Sequence, residues 1–209
     1  MNIIKQLKWR YATKKFDVTK KVSSEKLDIL KQAFNLTATS FGLQTIKLII
    51  VESETLRQPL VAHAYNQKQV LEASHLLVIC MQEDILDTDV VAYYDNIKSI
   101  RNTPETILKP YREDLVNMME TMSISQRHQW SKNQAYIALG NLMTVCAVEN
   151  IDSCPMEGFS PEAIDKALQL NKMGLKSVLL LPVGYRDETD MFAGFAKVRK
   201  SINEAVIEL

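Results

Sequence analysis

His75-Leu76-Leu77-Val78-Ile79-Cys80-Met81 is the stretch on which the fold turns. It is apolar after its first residue, it includes the β-branched pair Val78-Ile79, and it is too short for an independent helix. It therefore reads as a buried strand. Residues 176–183, with Val178-Leu179-Leu180-Leu181 inside them, read the same way, and residues 46–51, rich in isoleucine, predict a third strand. A short extended piece is expected at 151–154.

Helical patterns lie between these strands. Ile3, Ile4 and Leu7 recur at helical spacing and predict a short opening helix that ends at Arg10. Ser23-Ser24 can cap a helix over 25–36, with Leu27, Leu30 and Phe34 on one face. Residues 53–64 and 67–73 read as helical, Thr103-Pro104 as a helix start, and 125–149 as the longest helix, apolar over most of its second half. Ser160-Pro161 opens one more. Residues 37–43 read as a loop, and 205–209 alternate weakly. Few strands against much helix predicts an α+β domain over residues 1–209, with helices around one modest sheet.

Composition narrows the function. The chain has 209 residues, 46% of them hydrophobic, with 25 basic and 25 acidic side chains giving a formal net charge of +0. That balance argues against nucleic acid as a partner and suits a chain that hides surface in an oligomer. Three cysteines in apolar runs fit a reducing cytoplasm rather than a disulfide framework. The longest apolar runs are too short to span a bilayer, and Lys5, Lys8 and Arg10 interrupt any leader pattern. There is no Gly-x-Gly-x-x-Gly after a strand, no phosphate loop and no nucleophile elbow. His63, His75 and His128 lack metal-ligand spacing, so no metal is expected.

What remains is a pair of basic clusters, Arg10-Tyr11-Ala12-Thr13-Lys14 and Lys197-Val198-Arg199. Either alone reads as a solvated face. Converging in one domain, they suit a small anion: a phosphate monoester carries about −1.5 to −2 charges at neutral pH, and arginine grips its oxygens in a fork. Two loops add to this reading. Thr39-Ser40-Phe41-Gly42 offers hydroxyls and flexible amides, or is an ordinary turn. In Pro155-Met156-Glu157-Gly158 the proline fixes the entry and the glycine lets backbone approach a flat ligand, or the run is a plain connector. Asn66 can donate and accept toward a heterocycle or cap a helix. Met118, Met119 and Met122 can line an adaptable pocket or fill core.

In order along the chain, Arg10-Tyr-Ala-Thr-Lys14-Lys15-Phe16, Thr39-Ser40-x-x-x-Gln44, Asn66, Pro155-x-Glu157-Gly158-Phe159, Leu181-Pro182-Val183-Gly184-Tyr185 and Lys197-x-Arg199 resemble the nitroreductase-like flavoproteins, closest to the oxygen-insensitive NAD(P)H nitroreductase and dihydropteridine reductase branch. The resemblance covers essentially the whole chain. It implies a nitroreductase-like fold: a central, mostly antiparallel sheet wrapped by helices, in a homodimer with FMN at each of two interfacial sites. The C-terminal segment, here 205–209, would be exchanged onto the partner's sheet.

By position, the resemblance implies that Arg10, Lys197 and Arg199 hold the FMN phosphate. Tyr11 and Ala12 would flank them. Lys14, as electrostatic tuner, and Asn66 would sit at the pyrimidine edge of the flavin, with Gln69 nearby. Thr39, Ser40 and Gln44 would reach the flavin of the partner subunit. The backbone at Pro155, Met156, Glu157 and Gly158 would address the N5 and O4 side of the ring. NADH or NADPH would be the co-substrate and small aromatic molecules the electron acceptors, with the chemistry on the flavin and none of it on a catalytic side chain. Ala12 stands where a serine is common, Thr45-Ile46 where a proline-aromatic pair is frequent, and Gln69 where close relatives carry lysine. The departures at Thr45-Ile46 and Gln69 motivate one alternative, a flavin-binding storage or sensor protein with little turnover; a third reading is an interaction protein with no cofactor.

Overall fold

A computed structural model describes residues 2–209. Its sheet has four strands, β1 (Ile46–Val51), β2 (His75–Gln82), β3 (Asp152–Ser153) and β4 (Leu175–Gly184), in the order β1-β2-β4-β3 with every neighbouring pair antiparallel. β2 lies between β1 and β4 and is buried over all but its last residue. Its two faces feed different cores. Leu76, Val78 and Cys80 join Phe16, Leu60, Val70, Phe159 and Leu180 on one side. Leu77 and Ile79 join Leu179, Leu181 and Val183 on the other. Covering both faces is why β2 reads as an unbroken apolar run rather than an alternating one.

The second face is covered by α8 (Ile124–Val148), whose Ala135, Ala138, Leu139, Leu142 and Cys146 are buried against the sheet together with Leu30 of α2 (Ser24–Asn35). Helix α8 begins where its sequence signals a start: the Ser123 side chain accepts from the Gln126 amide, and the Gln126 side chain accepts from the Ser123 amide. Helices α6 (Asp87–Arg101) and α7 (Glu105–Thr121) form a hairpin with its own small core around Tyr94, Leu108, Leu115 and Met119. The methionines at 118, 119 and 122 belong to that core. Among the described residues, no helix is long and apolar enough to cross a membrane.

The opening helix α1 (Ile3–Trp9) ends at Arg10, as its pattern predicts. The single helix expected over 53–64 is instead two turns, α3 (Glu54–Arg57) and α4 (Leu60–His63). Pro59 lacks an N–H at the junction, and Arg57, fully buried, is committed elsewhere. Its guanidinium donates to the carbonyls of Val70, Leu71, Ala73 and Glu52 at 3.2, 2.7, 2.6 and 3.1 Å, gathering the short α5 (Gln69–Glu72) against the strand that follows. Helix α7 starts one residue after Pro104, which occupies the cap rather than the first turn. Helix α9 (Pro161–Ala167) follows Ser160. In the C-terminal tail, Ile202–Ala205 forms a helical turn, α10, so the weak alternation over 205–209 is not a strand within its own chain.

Candidate functional site

The segment after α1 runs along the β3 edge of the sheet. Ala12 bridges Ser153 in the parallel sense, with the Thr13 amide donating to the Ser153 carbonyl at 3.3 Å. Phe16 bridges Arg186, and the Asp187 amide donates to the Lys15 carbonyl at 3.0 Å. Residues 10–16 are thus received entirely by chain from far downstream. Arg186 locks the arrangement: its Nε and Nη2 reach Asp152 Oδ1 at 2.9 and 2.6 Å, and its guanidinium lies 4.4 Å over the Trp9 ring and 4.7 Å from that of Tyr11.

Asp190 holds the same loop from the other side. Its Oδ2 accepts from the Tyr11 hydroxyl at 2.8 Å and from the Lys14 and Lys15 amides at 2.9 and 3.1 Å, while Oδ1 accepts from the Phe192 amide at 3.1 Å. Burial alone pushes this carboxyl up, but the bonds from Tyr11 and the three amides outweigh it and hold Asp190 below the usual carboxylate value. The Tyr11 phenol is raised well above its ordinary value, by burial first and then by the bond to Asp190.

These constraints bring the two basic clusters together. Arg10, Tyr11, Ala12 and Lys14 form one wall of a cavity of about 340 Å³, and Lys197 and Arg199 form another, with Phe192, Phe195 and Val198 closing the rest. Lys197 Nζ donates to the Arg10 carbonyl. Among the described residues, Arg10, Lys14, Lys197 and Arg199 form no ion pair with a carboxylate. Burial, and next the charge of Arg199, depress the pKa of Arg10; burial, and next Arg10 and Arg199, depress that of Lys197. Arg10 Nε is buried with no hydrogen-bond partner among the described residues. Crowded cations and an orphaned donor make a donor set that suits a small anion.

Lys14 Nζ lies 3.9 Å from Cys154 Sγ, which puts its ammonium beside the start of the 155–158 loop. That loop is fixed at Met156, which exchanges backbone bonds with Leu180 at 2.8 and 3.1 Å. Its glycine end is tied to residues 63–67: Gln67 Nε2 donates to the Gly158 carbonyl at 2.8 Å, and the Ser160 amide donates to the His63 carbonyl at 2.8 Å. The Tyr136 hydroxyl donates to Glu157 Oε1 at 2.9 Å. Asn66, exposed and left-handed at φ 60, sits in the strip that Gln67 binds to the loop, and Gln69 is buried at the start of α5.

Thr39, Ser40 and Gln44 do not line the basic cavity. The Ser40 amide donates to Gln134 Oε1 of α8 at 2.8 Å, the Thr39 hydroxyl is buried without a partner among the described residues, and Gln44 lines a separate groove beside β1. Thr45 is fully buried and accepts from the Ser131 hydroxyl at 2.9 Å. Sequence reasoning missed Asp190, Arg186, Gln67 and the Phe192–Phe195 pair. Asp190 follows Asp187-Glu188 in an irregular tail and resembles a solvated turn, and nothing local marks Arg186 as the partner of Asp152.

A family model described as Nitroreductase family matches residues 7–185. The chain belongs to the nitroreductase family. Among its nitroreductase relatives, a Staphylococcus aureus protein provisionally named an NAD(P)H nitroreductase is 31% identical over 191 residues, covering 86% of this chain and 84% of the relative. The major NAD(P)H-flavin oxidoreductase of Aliivibrio fischeri is 29% identical over 215 residues, covering 98% and 97%. The fold agrees. A crystal structure from Bacillus subtilis, provisionally a nitroreductase, superposes with a TM-score of 0.88 at 19% identity over 99% of this chain and 98% of that one. One from Exiguobacterium sibiricum, likewise provisional and solved in complex with FMN, gives 0.83 at 20% identity over 100% and 98%. The antiparallel sheet wrapped by helices is the fold these structures share with this chain.

Proposed function

We propose that residues 1–209 form one FMN-binding domain of an NAD(P)H-dependent oxidoreductase that works as a homodimer on nitroaromatics, quinones or related flat acceptors. The observation that carries this reading is the meeting of Arg10, Lys197 and Arg199 around one cavity, without carboxylate partners among the described residues and with Arg10 Nε orphaned. A phosphate monoester fits that donor set in charge and geometry, and each charge-assisted bond nets ~1.5–3 kcal/mol. Bound FMN would supply hydride acceptance from NADH or NADPH and return of the reducing equivalents to an acceptor using the same place in turn, the chemistry of a ping-pong cycle.

The chain's own residues supply binding, orientation and charge. Arg10, Lys197 and Arg199 anchor the phosphate end. Lys14 brings an ammonium to the pyrimidine edge of the ring, where negative charge accumulates on reduction. Asn66, on the strip that Gln67 ties to Gly158, serves the same edge. The 155–158 backbone, held by Met156 to β4, would address the N5 and O4 side of the ring. Thr39, Ser40 and Gln44 stand away from the basic cavity, which suits a role toward the partner subunit's flavin.

A dimer is supported by the shape of the chain's own edge. β1 closes one side of the sheet and is flanked by a groove of about 750 Å³, lined by Phe34, Leu48 and Ile50 among others. The tail leaves Val198, Ile202 and Ile207 exposed at 86%, 78% and 82%. A tail from a second copy would cover both.

The test is spectroscopic. The purified protein is expected to be yellow. In stopped flow, NADH or NADPH alone should bleach it, and menadione or a nitrofuran added afterwards should restore the colour at a rate that supports steady turnover. Failure of both nicotinamides to bleach bound FMN would overturn the cycle, and bleaching without acceptor turnover would favour a storage or sensor role.

A further inference from the structure

The buried carboxylate in the middle of the basic cavity's frame has no place in the chemistry above. Asp190 is 5% exposed and is bonded to the loop that carries Tyr11, Lys14 and Lys15, where a carboxylate should oppose the binding of an anion. Its lone pairs, however, are spent on the frame. Oδ2 takes the Tyr11 hydroxyl and the Lys14 and Lys15 amides, and Oδ1 takes the Phe192 amide that starts the 3-10 turn Met191–Gly194. Tyr11 and Lys14 belong to the N-terminal wall of the cavity; Phe192, and through it Phe195 to Arg199, belong to the C-terminal wall. One side chain therefore grips both walls, and no other side chain among the described residues bonds to the 11–15 and 192–199 segments together.

We propose that Asp190 is a positioning residue for anion recognition: it clamps the 10–15 loop to the 191–199 segment so that Arg10, Lys197 and Arg199 present their donors to one phosphate. This rests on the proposed FMN reading. Removing the carboxylate leaves the Lys197 bond to the Arg10 carbonyl as the remaining side-chain tie between the walls and loosens the placing of the cations, whereas the 155–158 and 63–67 segments are held by Met156 and Gln67 and persist. The consequence is selective: Asp190 sets how strongly the protein prefers FMN over riboflavin, which has the same ring and no phosphate.

The experiment titrates FMN and riboflavin separately into deflavinated wild-type, Asp190→Ala, Asp190→Asn and Tyr11→Phe proteins by flavin fluorescence, with the melting temperature of each apoprotein recorded alongside. Wild type should prefer FMN strongly. Asp190→Ala should cut the ratio of the two affinities at least tenfold and Asp190→Asn by less; Tyr11→Phe, which removes one of the bonds, should cut it least. If Asp190→Ala fails to fold, the other two variants carry the comparison. A preserved ratio, whatever happens to the melting temperature, overturns the positioning role and leaves Asp190 a stabilising residue only. A wild type indifferent to the phosphate overturns the phosphate clamp itself, and the role of Asp190 with it.

Discussion

Lys197 donates to the backbone carbonyl of Arg10 across 187 residues of sequence. This bond draws together two cations that form no ion pair with a carboxylate among the described residues; burial and then the charge of Arg199 depress the pKa of Arg10, and burial, then Arg10 and Arg199, depress that of Lys197. Such an arrangement gains stability when an anion enters. Arg199→Ala should therefore raise the dissociation constant for FMN by roughly 10- to 150-fold, the equivalent of one charge-assisted bond at ~1.5–3 kcal/mol. Fluorescence recovery of released flavin measures it, and unchanged affinity counts against the assignment.

Deleting residues 205–209 should weaken the dimer if this apolar tail covers the groove along β1 of a second copy. Sedimentation equilibrium of the truncated protein should show a monomer fraction that full-length protein lacks at the same concentration. An intact dimer refutes the exchange.

The 39–44 loop depends on one glycine. Gly42 has φ +74, and an added Cβ would stand 2.6 Å from the Tyr93 hydroxyl oxygen. Gly42→Ala should cost at least the roughly 1–2 kcal/mol of a left-handed backbone, read as a lower urea midpoint. Gly140 provides the contrast: it lies inside α8, and a Cβ there meets nothing within 4 Å. Gly140→Ala should raise stability by up to about 1 kcal/mol.

Acid should loosen the site through Asp190. Its folded-state pKa lies below the ordinary carboxylate value, so its contribution is fully present above that ordinary value and is lost as pH falls through the lower folded one. Asp190→Asn lacks this ionisation. The melting temperature of wild type should accordingly fall more steeply than that of the variant as pH drops below about 4. Parallel curves would show that the carboxylate is not held in the folded state.

Much of the scaffold was legible because burial on both faces writes itself into composition. The seven-residue run from His75 and the Val178 to Leu181 run could be little else than inner strands, and the longest helix, expected over 125–149, runs Ile124–Val148. The convergence of Arg10 with Lys197 and Arg199 was legible as charge pattern alone. What joins them was not. Asp190, Arg186 and Asp152 are ordinary polar residues whose partners lie up to 179 residues away, and only the folded chain brings them together. The break within 53–64 escaped for a related reason: a fully buried arginine satisfied by carbonyls looks in sequence like any exposed helix arginine.

The most direct test of the account is a crystal structure of the flavin-loaded protein. It should show the FMN phosphate within hydrogen-bond reach of Arg10, Lys197 and Arg199, with Arg10 Nε no longer orphaned. A phosphate bound elsewhere, with those three side chains turned out to solvent, would contradict it.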